Sequence, residues 1–136
     1  VVSLYLRHAA EEETVEAPFR AYREWPDSGP YVAAFARNAE LPLVARVDRI
    51  EAERQRILEA FAGRVPEAVP GDFSLLLAPL PKVRLCYVFY RSDEEFPASA
   101  TCLFSANANR FLPVDGLADL AEYTSRRILD LIEPDG

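Results

Sequence analysis

The run Asp93-Glu94-Glu95-Phe96-Pro97 holds the densest set of side chains able to do chemistry in this sequence. Along an extended chain Asp93 and Glu95 point the same way. Two carboxylates so placed either hold a cation or raise each other's pKa for acid/base work. Hard ions such as Mg²⁺ and Ca²⁺ take oxygen ligands of this kind. Asp72 and Asp115 are the further carboxylates that such a site could recruit. Two structural readings stand beside these. In one, the run is a solvated hairpin tip whose charges keep the flanking strands from pairing with other chains. In the other, one carboxylate accepts backbone amides while Phe96 anchors the loop in the core.

The remaining reactive side chains are sparse. His8 is the only histidine and shares a helical face with Leu4, so it reads as packing or surface. Neither a Ser-His-Asp nor a Cys-His arrangement is therefore easy to support. Gly71-Asp72-Phe73 lacks the other glycines of a phosphate cradle. Two cysteines, Cys86 and Cys102, are too few for a disulfide framework or a zinc site. If a hairpin closes around Arg91 to Ser99, both project to one sheet face as reduced, buried thiols. Tyr87, Phe89, Tyr90, Phe96 and Phe104 read as an aromatic cluster of the core.

These residues must be positioned by a mixture of helices and strands. Val1 to Ala10 reads as a short helix, followed by a solvated turn at Glu11-Glu12-Glu13. Pro18 to Trp25 alternates like an edge strand, and a helical turn starting at Pro18 fits nearly as well. Pro26-Asp27-Ser28-Gly29-Pro30 is a turn. Tyr31 to about Asn38 is helical, and Pro42 interrupts or kinks it. One helix is then expected from Leu43 to Ala62, with Val47, Ile50, Ile57, Leu58 and Phe61 as its apolar stripe and Gly63 as its stop.

Three strands follow: Phe73–Ala78, Val83–Tyr90 and Ala100–Phe104. Val83–Tyr90 is apolar on both faces, which marks a central strand covered twice. A last helix runs from about Asp115, which could cap it, to Ile132, and Pro134 ends it. The expected class is α+β: an antiparallel sheet of three or more strands packed with helices, the long C-terminal helix on one face.

The totals agree with one domain over residues 1–136, with half of the residues hydrophobic. A net charge of −7 argues against nucleic acid, which wants clustered Lys and Arg, and weakly against anionic membranes. No stretch approaches the about 20 apolar residues that span a bilayer. The first residues lack the features of a signal peptide, and with only two cysteines the expected compartment is a reducing cytoplasm. The sequence contains no methionine, and the expectation is that it begins inside a longer gene product.

Leu80-Pro81-Lys82-Val83, Asp93-Glu94-Glu95-Phe96-Pro97, Leu103-Phe104 and Leu112-Pro113 with the helix after it resemble the family known as domain of unknown function 3786. The resembling block runs from Gly71 to Ile132, and Leu4-Tyr5-Leu6 and Phe19 to Phe35 match more loosely. On that reading the chain corresponds to the later two thirds of the domain. Three positions depart from the family's pattern: Ser92 stands for a glycine, Arg84 for a proline and Ser105 for an aspartate. The resemblance implies the fold and picks out the acidic loop. It names no activity and no cofactor.

The reading that follows is a non-catalytic binding or accessory domain, contacting a partner subunit or a small ligand. The alternative is a metal-dependent or acid/base enzyme module using Asp93, Glu94 and Glu95, with Asp72 or Asp115. A missing start would leave apolar surface near Val1, Leu4 and a sheet edge, for a second copy or another chain to cover.

Overall fold

A computed structural model describes residues 13–133. The expected helix over Val1 to Ala10, His8, the apolar surface around Val1 and Leu4, and Pro134 lie outside those residues.

Four strands form one antiparallel sheet: β1 (Arg20–Ala21), β2 (Phe73–Leu80), β3 (Val83–Tyr90) and β4 (Ser99–Phe104), in the order β1-β4-β3-β2. The doubly apolar β3 is central, with β2 and β4 on either side. β2 runs two residues beyond the expected end and takes in Pro79. It does so at a register irregularity between Leu77 and Leu80 on an edge strand, where the missing N–H of proline is tolerated. Of the two readings of Pro18 to Trp25, the strand holds over Arg20–Ala21, while the helical turn does not start at Pro18 but forms as a 3₁₀ turn directly after β1, at Tyr22–Glu24.

The helices are α1 (Val32–Phe35), α2 (Leu41–Val44), α3 (Val47–Ala52), α4 (Arg54–Ala60) and α5 (Val114–Ile132). A π-helical segment, Ala36–Glu40, joins α1 to α2. Pro42 accounts for it. Proline has no N–H, so the Asn38 carbonyl loses its donor four residues on. The turn widens instead, and Leu41 N–H bonds the Ala36 carbonyl five residues back.

The single helix expected from Leu43 to Ala62 is α2, α3 and α4, with joints at Ala45-Arg46 and at Glu53. Neither joint carries a glycine or proline, so the sequence does not mark them. Each short piece aims its own apolar residues at the core: Leu43, then Val47 and Ile50, then Ile57 and Leu58. Gly63 is not the left-handed residue of the stop. That conformation falls on Ala62, with φ 50°, and Gly63 N–H bonds the Leu58 carbonyl at 2.7 Å. Gly63 is needed for close approach to β2, since a Cβ there would meet Leu76 O at 2.5 Å.

α5 begins at Val114 with Pro113 at the cap position, so Asp115 sits in the first turn and makes no cap bond. The main core lies between one sheet face and the helices. Leu75, Leu77, Leu85, Tyr87, Phe89, Cys102 and Phe104 join Ile50, Ile57, Leu117 and Ile128 there. A smaller cluster, Leu76, Cys86 and Val88, lies apart from it, with Phe19, Val69 and Leu103 packed against it. Among the described residues no helix is long and apolar enough to cross a membrane.

The cysteines do not share a face. Tyr87 stands opposite Cys102, and Cys86 stands opposite Leu103. Directly opposed residues point the same way, so Cys102 joins Tyr87 in the main core and Cys86 faces the smaller cluster. A register one residue different would have put them together. Both thiols are free and buried, and burial pushes Cys86 up to about 12 and Cys102 well above its ordinary value. In the native protein both should react with a maleimide at least about 100-fold more slowly than in urea, because attack needs a thiolate and an opening of the sheet. Labelling of either at the unfolded rate would contradict this placement.

Candidate functional site

The acidic run lies in the β3–β4 connection, residues 91–98, and there it is a turn. Asp93 N–H bonds the Phe96 carbonyl at 2.9 Å. Asp93 Oδ1 accepts the N–H groups of Glu95 at 2.8 Å and Phe96 at 2.7 Å. This is the local side-chain-to-backbone bonding for which aspartate is favoured in turns. Asp93 is therefore directed into its own loop, and the extended pair with Glu95 is not formed. Phe96 does not anchor the loop in the core, as it is 66 % exposed, and Tyr90 is 42 % exposed. Tyr87, Phe89 and Phe104 are the members of the expected aromatic cluster that are buried.

Asp72 approaches from the start of β2. Its Oδ2 accepts Arg91 N–H at 2.7 Å. The Arg91 side chain turns to α3, where Nε bonds Glu51 Oε1 at 2.7 Å and a second guanidinium nitrogen bonds Oε2. The bidentate pair holds the Glu51 carboxyl below its ordinary value. The same guanidinium lies 6.0 Å from the centre of the Phe73 ring. Together Asp72, Tyr90, Arg91, Asp93, Phe96, Pro97 and Ser99 line a cavity of about 410 Å³.

The structure thus brings Asp72 and Asp93 to one cavity. Glu94 and Glu95 are exposed beside it and are not in its lining. Asp115 is elsewhere, in a groove between α5 and α1 with Tyr31, Asn38, Asp119 and Glu122. No three His, Cys, Asp or Glu side chains stand in a metal-holding arrangement among the described residues. Ser105 is buried. Its Oγ accepts Arg84 N–H at 3.1 Å, and its own N–H bonds the Arg84 carbonyl at 2.9 Å. Arg84 and Ser105 are therefore partners, and a proline at 84 would have no N–H to donate.

A second constellation escaped the sequence reading. Glu40 ends the π segment, and its Oε2 accepts Cys102 N–H at 2.8 Å on the outer edge of β4, just past the two residues that pair with β1. Behind it, Ser125 donates to the Ala39 carbonyl at 2.6 Å, which leaves Tyr87 OH to donate to Ser125 Oγ at 2.8 Å. A cavity of about 250 Å³ opens in front, lined among others by Tyr22, Arg23, Phe35, Glu40, Thr101 and Cys102. The only hint in the sequence is Pro42, two residues on.

Burial raises the Glu40 carboxyl, against the opposing pull of Cys102 N–H and of the Arg23 charge. A carboxyl raised on folding stabilises the protein below its unfolded pKa, and that contribution is lost as pH rises through the folded value. Glu40→Gln keeps an oxygen for Cys102 N–H and removes the charge. Its urea midpoint should exceed that of the parent at pH 7, and the gap should narrow as pH falls through the carboxylate range. A constant gap, or a lower midpoint at pH 7, would contradict this account of Glu40.

No curated protein and no solved structure matches the chain. Residues 1–127, which take in both the acidic loop and the Glu40 segment, match the model of the family described as Domain of unknown function (DUF3786), and the chain belongs to that family.

Proposed function

We propose that this is a non-catalytic binding or accessory domain that receives a cationic partner segment at the β3–β4 hairpin end. The observation that carries this reading is the cavity there, which combines two exposed rings, Tyr90 and Phe96, with the carboxylates of Asp72 and Asp93. Large rings left in solvent beside a formed cavity have the character of a recognition surface. The loop is held in shape by Asp93 before any partner arrives, so little ordering is required on binding.

Charge selects the occupant. Arg91, the one cation lining the cavity among the described residues, is engaged by Glu51, while Glu94 and Glu95 stand exposed on the same loop. A lysine or arginine beside an apolar side chain satisfies both the carboxylates and the rings. Arg91 beside the Phe73 ring shows the same pairing within the chain. The metal-dependent alternative gains no comparable support, because Glu94 and Glu95 stand outside the cavity that Asp72 and Asp93 line.

Calorimetric titration with hexa-arginine tests the proposal. Glu94→Gln with Glu95→Gln removes charge without touching the bonds that hold the loop, and Phe96→Ala removes an exposed ring. Each should weaken binding by about three- to tenfold, and raising salt should weaken it further. Equal affinity in parent and variants, or equal binding of hexa-glutamate, would refute the reading.

A further inference from the structure

The Glu40 cleft has charges of both signs on its walls, and they do not pair with each other. Glu40 and Arg23 both line it, yet no ion pair joins them, although the Arg23 charge pulls on the Glu40 carboxyl. Arg23 has no carboxylate partner among the described residues. The adjacent Glu24 is taken by Arg20 at 3.8 Å and by Ala21 N–H at 2.6 Å. Glu40 uses one oxygen on Cys102 N–H, and Oε1 stands outside that bond. A partly buried carboxylate with one hydrogen bond is under-compensated for its lost hydration, and a cationic donor in the cleft would offset that cost.

Apart from Thr101, the remaining walls are largely apolar, and they are preformed. The Tyr22 and Phe35 rings stack with centroids 4.4 Å apart and planes 6° from parallel. Tyr22 OH is fixed on the Val114 carbonyl at 2.9 Å. Behind Glu40, the π segment is held to α5 through Ala39 and Ser125. The cavity, about 250 Å³, falls below the roughly 300–1,000 Å³ of pockets for drug-sized ligands. Its occupant is accordingly small.

We infer that this cleft binds a small zwitterion of the amino-acid type, its ammonium on Glu40 and its carboxylate on Arg23, with the short aliphatic spacer against Tyr22 and Phe35. The site is separate from the hairpin end and does not depend on the proposal made for it.

The test is an amide-resolved NMR titration of the ¹⁵N-labelled protein with glycine, β-alanine, 4-aminobutyrate and 5-aminovalerate, a series that varies the spacing of the two charges. Butylamine and butyrate serve as single-charge controls. At least one zwitterion should shift the Thr101 and Cys102 amides saturably at or below about 10 mM, with the hairpin amides unmoved. The single-charge controls should bind at least about tenfold more weakly. Glu40→Gln and Arg23→Gln should each cost about tenfold, and Arg23 is exposed, so its replacement spares the fold. The inference is overturned if none of the four zwitterions saturates, if butylamine binds as well as the best of them, or if either variant binds unchanged.

Discussion

Phe104→Ala should destabilise the protein by about 4 kcal/mol, the usual cost of deleting a fully buried aromatic ring. Phe104 pairs with Leu85 on β3 and with Arg20 on β1. Its ring lies 5.9 Å from Tyr22, 6.2 Å from Trp25 and 5.8 Å from Phe35. Removing it opens a cavity under the two rings that wall the Glu40 cleft. The lost contacts span the sheet, the 3₁₀ turn and α1, so local collapse cannot refill the space. Urea unfolding followed by circular dichroism measures the change. A loss below about 1.5 kcal/mol would mean that this aromatic group is not packed as described.

Gly63→Ala should cost about 3 kcal/mol, at the upper end for an added methyl group. The new Cβ would stand 2.5 Å from Leu76 O, 2.9 Å from Leu77 Cδ2 and 3.1 Å from Leu58 Cδ2. A leucine methyl can swing away. The Leu76 carbonyl cannot, because it accepts Arg64 N–H at 3.0 Å while Leu76 N–H bonds the Arg64 carbonyl at 2.8 Å. That two-bond bridge covers the outer edge of β2, so the clash would also uncover a strand edge. A substitution tolerated within about 0.5 kcal/mol would show that Gly63 is there only to end the helix.

The contrast between these positions shows what the sequence could reveal. β3 was legible because its burial is written in its own residues: apolar side chains at every position from Val83 to Phe89 except Arg84. Gly63 was legible as a break but not in its cause, since the demand on it comes from Leu76, in another element. The faces of Cys86 and Cys102 depended on register, which the turn at Asp93 sets, and a change of one residue reverses the answer.

The acidic run shows the same division. That a carboxylate there accepts backbone amides was among the readings of the sequence, and Asp93 does so. That Phe96 turns outward was not, because an aromatic residue between strands reads as core unless the turn's geometry is known. Glu40 was out of reach altogether. Its place depends on a π turn forced by Pro42 and held through Ala39 by Ser125, 86 residues away.

The hairpin end is the centre of the functional account, and locating a bound cation there tests it most directly. The measurement is an amide-resolved NMR titration of the parent protein with hexa-arginine at low salt. The account predicts saturable shifts centred on residues 91–97 and the Asp72 amide, with the Glu40 cleft unmoved. Shifts spread evenly over the acidic surface, or none at residues 91–97, would contradict it.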